Sequence, residues 1–212
     1  MLQISSVHVT IASVQALRGF SLQVAAGSMV SLVGRNGAGK TSLMRTVMGH
    51  LPAASGSITL DGQDLGRLPR HARAGAGIGY MPEDRGLVPE LTVEENILVP
   101  VWVSRTLKVK ERLSLVYDVL PELSAIRDRR ALLLSGGQQK MVALARALAV
   151  GTRLLLLDEP FEGLAPALSQ RLSEVVGTLR GTNLAVLMSQ SDLNHSRSLV
   201  DSEAVIERGA NA

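Results

Sequence analysis

The sequence predicts an α/β fold in which strands and helices alternate around a phosphate-binding loop, with an antiparallel β part at the N-terminus and an inserted helical segment. Three observations predict it. Gly34-Arg35-Asn36-Gly37-Ala38-Gly39-Lys40-Thr41 fits G-x-x-x-x-G-K-S/T, preceded by an apolar run at 29–33 and followed by apolar residues at helical spacing over 42–48. Leu154-Leu155-Leu156-Leu157, apolar enough for a buried strand, runs straight into Asp158-Glu159. Residues 89–136 read as helices, whereas the stretches on either side read as strands alternating with helices.

In chain order, residues 2–10 and 20–24 read as strands, and 25–28 turn the chain into the strand that feeds the phosphate loop. The helix opening at Lys40 is expected to end near Gly49, ahead of Pro52. A strand at 57–60 closes on the Asp61-Gly62 turn signal, 68–74 reads as a basic helix, and 78–81 as a buried strand ending in a loop at 82–86. Thr92 with Glu95 three residues on is a capping-box start, and 108–120 gives a second helix with Leu113, Val116 and Leu120 on one side. These helices make 89–136 an inserted subdomain, between core segments 1–88 and 137–212. Gln138 opens a strong helix, and Leu168, Leu172, Val175, Val176 and Leu179 form the stripe of the next. Strands at 184–188 and 203–206 end the pattern.

The 212 residues suffice for one sizeable core with a small insert. Aromatic residues are only 2%, so Leu, Val, Ala and Ile must build that core. The net charge of +3 is mild, and so few rings for stacking on bases argue against nucleic acid as a partner. The absence of cysteine excludes disulfides and thiolate zinc sites and agrees with a cytoplasmic setting. The first residues lack the basic-then-apolar pattern of a signal peptide, and no apolar run approaches the ~18 residues of a membrane span.

The residue types point to polyphosphate chemistry. Side chains at Gly34, Gly37 and Gly39 would obstruct a loop that wraps phosphates, and the backbone N–H groups of Arg35, Asn36, Ala38 and the helix start form an anion site. Lys40 can reach the β- and γ-phosphates, with Ser42 beside them, and the Thr41 hydroxyl can sit on Mg²⁺. Asp158 and Glu159, at the C-terminal end of a buried strand, lie where parallel sheets bind ligands, Asp158 toward Mg²⁺ and Glu159 toward the attacking water. Taken alone, a strand ending in acids also suits a surface loop. Ser135-Gly136-Gly137-Gln138 is a second anion-type helix start, which one nucleotide does not need from one subunit. A head-to-tail dimer would use both; a flexible helix cap is the plain alternative.

Together these residues resemble the ABC transporter ATP-binding family, over essentially the whole chain. Gln15-Ala16-Leu17-Arg18, the stretch 89–96 and the stretch 158–166 look like the branched-chain amino-acid importer group, with urea and short-amide importers similar in these places. The resemblance implies a P-loop NTPase (RecA-like) core with an N-terminal antiparallel β part and an inserted α-helical subdomain. It also implies binding and hydrolysis of ATP with Mg²⁺, and a homo- or heterodimer with a second ATP-binding subunit. The dimer would sit peripherally on the cytoplasmic face of the inner membrane and drive integral permease subunits, solute arriving from a separate binding protein.

Several positions depart from the family pattern. Glu83 stands where the family has a glutamine, and could bind Mg²⁺ or orient water while adding negative charge. Gln190 replaces the switch histidine and can donate a hydrogen bond but carries no proton; His195, five residues on, is the other candidate for that role. Ile11 replaces the aromatic ring that stacks on adenine, which bears on ATP-over-GTP preference. Ala165 replaces an aspartate, and the chain stops soon after Gly209, so part of the core is expected to be more open. Arg67, Arg70, Arg73, Arg127, Arg129 and Arg130 read as solvated faces or as contacts for a permease or lipid headgroups. Two other readings stay open: an ABC-type ATPase of DNA repair or translation, and a nucleotide-binding subunit with little turnover.

Overall fold

A computed structural model describes residues 1–191 and 198–212, so His195 lies outside the described residues. In chain order the elements are β1 (Leu2–Ile11), β2 (Val14–Val24), β3 (Met29–Val33), α1 (Lys40–Val47), β4 (Ser55–Leu60), β5 (Gln63–Asp64) and β6 (Ile78–Met81). Then come α2 (Val93–Trp102), α3 (Val109–Val119), α4 (Gly136–Val150), β7 (Leu154–Asp158), α5 (Pro166–Gly177), β8 (Ala185–Gln190), β9 (Ser202–Glu207) and β10 (Ala210–Asn211).

Two sheets result. β2-β1-β4-β5 is antiparallel, with Leu2 opposite Val24 on one side and Leu60 on the other. The second sheet runs β10-β9-β3-β8-β7-β6; its strands are parallel except for β10, which turns back on β9. The four-leucine run needs no polar alternation because both its faces are covered. Leu154 and Leu156 pack with α1 and the antiparallel sheet, while Leu155 and Leu157 pack with α4, α5 and the helices of the insert. Every residue of β7 and β8 is buried. The parallel register ends β3, β7 and β8 on one side of the sheet, which brings the loops after Val33, Asp158 and Gln190 together.

The capping box forms as expected: Glu95 N–H donates to Thr92 Oγ1 at 3.2 Å and Thr92 N–H to Glu95 Oε2 at 2.8 Å. α2 and α3 do not build a core of their own. Val93, Ile97, Val101, Val116 and Leu120 join one cluster with α4 and the near face of β7 and β8.

Three expectations fail. Residues 68–74 form only a 3-10 turn at Arg70–Ala72. Pro69 breaks the approach, and Arg73 is pulled inward rather than solvated: it is buried and donates to Val47 O at 2.7 Å and to Leu68 O. β2 begins at Val14 instead of residue 20, because pairing with β1 carries a first half that buries Leu17 but leaves Val14, Gln15 and Arg18 exposed.

Candidate nucleotide site

The phosphate loop spans the gap between β3 and α1. Gly39 is the N-cap of α1 at φ 113°, offers no side-chain cap, and no acidic residue sits in the first turn. The leading N–H groups therefore face outward as an anion site. The physical reason for two of the glycines differs from the sequence expectation. A Cβ on Gly39 would stand 2.7 Å from Ala16 O and one on Gly34 2.5 Å from Ile206 O, so these positions let the loop pack on its own protein. Gly37, at φ 80°, faces open space.

A cleft of about 700 Å³ opens over this loop. It is lined by Asn36, Gly37, Gly39, Lys40, Thr41 and Ser42, by Glu159 and Glu83, and on its outer wall by Ile11 and Val14. Arg18 and Arg208 also line it. Sequence reasoning gave neither a role, since only the fold brings the 207–210 turn over β2.

At the centre, Lys40 and Glu159 form an ion pair, Nζ to Oε1 at 3.0 Å, with both side chains at least nine-tenths buried. Lys40 also donates to Gly34 O at 2.6 Å, Arg35 O at 3.3 Å and Ser191 Oγ at 3.1 Å. Ser191 Oγ lies 2.6 Å from Glu159 Oε1 and 2.7 Å from Asn36 Oδ1, and Ser191 N–H reaches Glu159 Oε2. Behind them, Asp158 is wholly buried. Its Oδ1 accepts from Thr41 Oγ1 at 3.2 Å and from Ser189 Oγ at 2.5 Å, and Oδ2 from Tyr80 at 3.4 Å. Burial pushes the Asp158 carboxyl above the usual carboxylate range, against the hydrogen bonds from Ser189 and Thr41 and with help from the Glu159 charge. Burial chiefly, with the Asp158 charge next, raises Tyr80 as well. Thr41, Asp158, Tyr80 and Glu83 share a recess of about 230 Å³ beside the main cleft.

Two groups of candidates lie elsewhere. Gln190 is buried at the end of β8, its carbonyl accepting from Gly34 N–H at 3.1 Å, and it does not line the cleft. The residue that reaches Lys40 and Glu159 is its neighbour Ser191, which a serine's commonness hid from sequence reading. Ser135 and Gly136 are exposed at the start of α4, and with Gly137 and Gln138 they stand outside this cleft. Ser135 Oγ caps Gln138 N–H at 3.3 Å, and Gln138 Oε1 accepts from Ser135 N–H. A Cβ on Gly137 would strike Leu168 at 2.2 Å, so that glycine lets α5 approach. Ala165 is the N-cap of α5 and gives no side-chain cap.

Comparison with known proteins agrees with this geometry. Residues 17–162 match the family model described as ABC transporter. The high-affinity branched-chain amino acid transport ATP-binding protein BraG of Pseudomonas aeruginosa is 36% identical over 209 residues, covering 99% of this chain and 90% of its own. The lipopolysaccharide export system ATP-binding protein LptB of Haemophilus influenzae is 34% identical over 191 residues, covering 89% and 79%. The crystal structure of the ADP conformation of an ATP-binding cassette of an ABC transporter superposes at TM-score 0.84 with 26% identity, covering all of this chain and 89% of that one.

Proposed function

The chain belongs to the ABC transporter family as an ATP-hydrolysing subunit, and from that premise we propose that it powers an importer of branched-chain amino acids through an integral membrane permease. The observation that carries the enzymatic part is the meeting of Lys40-Thr41 with Asp158-Glu159 in one cleft. The relatives named as branched-chain amino acid and lipopolysaccharide systems are about equally similar; the stretches 15–18, 89–96 and 158–166 favour the import reading. No helix among the described residues is long and apolar enough to cross a membrane. A peripheral place on the cytoplasmic face follows from dependence on a permease.

In this reading the loop N–H groups and Lys40 hold the phosphates of ATP, and Ile11 and Val14 give the base an apolar wall. Thr41 Oγ1, Asp158 and the nearby Glu83 are hard oxygen donors that fit Mg²⁺, which takes one or two carboxylates and keeps the rest of its shell for water and phosphate. Bound there, the ion would neutralise charge on the phosphates. Lys40 must exchange Glu159 for phosphate, and that exchange frees the carboxylate to accept a proton from water. Ser191, hydrogen-bonded to both, is placed to hold Glu159 once Lys40 has left.

The exposed Ser135–Gly137 turn is assigned to the nucleotide of a second ATP-binding subunit, homo- or heterodimeric, so that each ATP is closed between two chains. Core segments 1–88 and 137–212 would carry the nucleotide and 89–136 the permease contact.

The test is transport. Proteoliposomes holding the chain, its neighbouring permease and its solute-binding protein are expected to accumulate labelled leucine with Mg-ATP, and not with the Lys40→Ala chain. ATP hydrolysis without branched-chain amino acid uptake would overturn the solute assignment; lipopolysaccharide release from the same system would replace it.

A further inference from the structure

Lys140 lies in the second turn of α4, is 4% exposed, and points its ammonium at two main-chain carbonyls: Glu159 O at 2.9 Å and Glu162 O. A buried ammonium is costly unless its donors are used. Here they are used by peptide oxygens of the turn that follows β7, and burial lowers the pKa of the amine.

That turn is itself unusual. Glu159 has φ 46°, a left-handed conformation that non-glycine residues adopt only at an energetic cost. It persists only if its surroundings over-determine it. Two side chains do so from opposite ends of the residue: Ser189 Oγ accepts from Glu159 N–H at 3.0 Å, and Lys140 takes the carbonyl. With the peptide units on both sides of Glu159 held, its side chain leaves the backbone toward the cleft, where the carboxylate meets Lys40 and Ser191. Lys140 does not itself line the cleft; it reaches the site only through the backbone of Glu159 and Glu162. It sits five residues after Ser135, about 7.5 Å along the same helix.

We propose that Lys140 is a positioning residue for hydrolysis: it fixes the backbone of Glu159 and ties that carboxylate to the placement of α4, whose first turn meets the partner's nucleotide. A subunit's own Glu159 is then aligned only when its α4 is correctly seated. This rests on the reading of Glu159 as the carboxylate that positions water.

The experiment compares Lys140→Gln and Lys140→Arg in the full chain, with wild type and Lys40→Ala as bounds, measuring Mg-ATP affinity, steady-state turnover and peptide-resolved hydrogen exchange. For Lys140→Gln we expect kcat to fall at least about tenfold, the Kd for Mg-ATP to stay within about twofold, and exchange to quicken within 159–164. The arginine variant, keeping a permanent cation, should recover most of the rate. If the glutamine variant turns over like wild type, or loses Mg-ATP affinity in step with its rate, or if arginine is no better than glutamine, Lys140 has no positioning role. Should the glutamine chain fail to fold, the arginine chain decides alone: a rate near that of Lys40→Ala overturns the proposal and a rate near wild type supports it. Wild type no faster than Lys40→Ala would instead strike the hydrolytic reading of Glu159.

Discussion

Replacing Glu159 by Gln should make the protein less stable without nucleotide and bind nucleotide more tightly. Lys40 is paired to Glu159 at 3.0 Å with both groups buried. Removing one partner of a buried pair costs about 3–5 kcal/mol when nothing replaces it. Here the amide keeps an acceptor, and Gly34 O, Arg35 O and Ser191 Oγ remain around the ammonium, so a loss nearer that of one charged hydrogen bond, about 2 kcal/mol, is reasonable. For a chain of this size each kcal/mol shifts Tm by about 2–4 °C, which sets the expected fall at about 4–8 °C. The wild type must break the pair to release Lys40 to the phosphates, whereas the variant need not. The same ~2 kcal/mol returns as about thirtyfold tighter Mg-ATP, and the loss of a negative charge near the phosphates acts in the same direction. Thermal unfolding with and without saturating Mg-ATP, together with a direct nucleotide titration, separates the two effects. An unchanged Tm without nucleotide and an unchanged or weaker Kd would show that nucleotide does not compete for this ion pair.

Three further outcomes are expected. Gly39→Ala places a Cβ against Ala16 O at 2.7 Å in a left-handed position, so stability should fall by about 2 kcal/mol or more and nucleotide-induced stabilisation should vanish in a thermal shift assay. Asp158→Asn should raise Tm at neutral pH in the presence of a chelator while abolishing hydrolysis. Burial raises the folded pKa above its unfolded value, so the ionised carboxylate opposes folding once pH climbs through that window; the Tm advantage of the variant must shrink as pH falls toward the unfolded pKa. Asn96 is fully buried, accepts Val88 N–H and donates to Val88 O, Leu91 O and Thr92 O. Asn96→Ala strands several of those groups and should cost about 2–4 kcal/mol in a denaturant titration, with hydrogen exchange quickening first in residues 88–92.

What could be read in advance was whatever a local pattern encodes. The leucines of β7 announce a strand covered on both faces, and Thr92 with Glu95 announces a helix start, because each signal is complete within a few residues. The phosphate loop announces a polyphosphate for the same reason. What could not be read depends on who meets whom. Ser189 and Ser191 are ordinary residues until the parallel register of β7 and β8 sets them beside Asp158 and Glu159. Asn96 looks like a solvent-facing polar residue in a helix, and Lys140 like one more charge on α4, yet both are buried and hold loop backbone. The 68–74 segment misleads in the opposite sense: its arginines suggest a wet helix, but one of them, Arg73, is spent on the carbonyls of Val47 and Leu68.

These hidden residues share a task. Lys140 holds the Glu159 turn to α4, Arg146 donates to Arg85 O and Gly86 O, and Arg85 donates to Gln139 Oε1 at 2.8 Å. Both loops that bring a carboxylate to the cleft, the one with Glu83 and the one with Glu159, are thus fastened by side-chain hydrogen bonds to the same helix. α4 begins at the exposed Ser135 turn and ends against the insert, where Arg112 of α3 takes Leu148 O and Ala149 O at 2.7 Å. A displacement at either end of α4 therefore reaches both carboxylates through fixed hydrogen bonds, without requiring the phosphate loop itself to move.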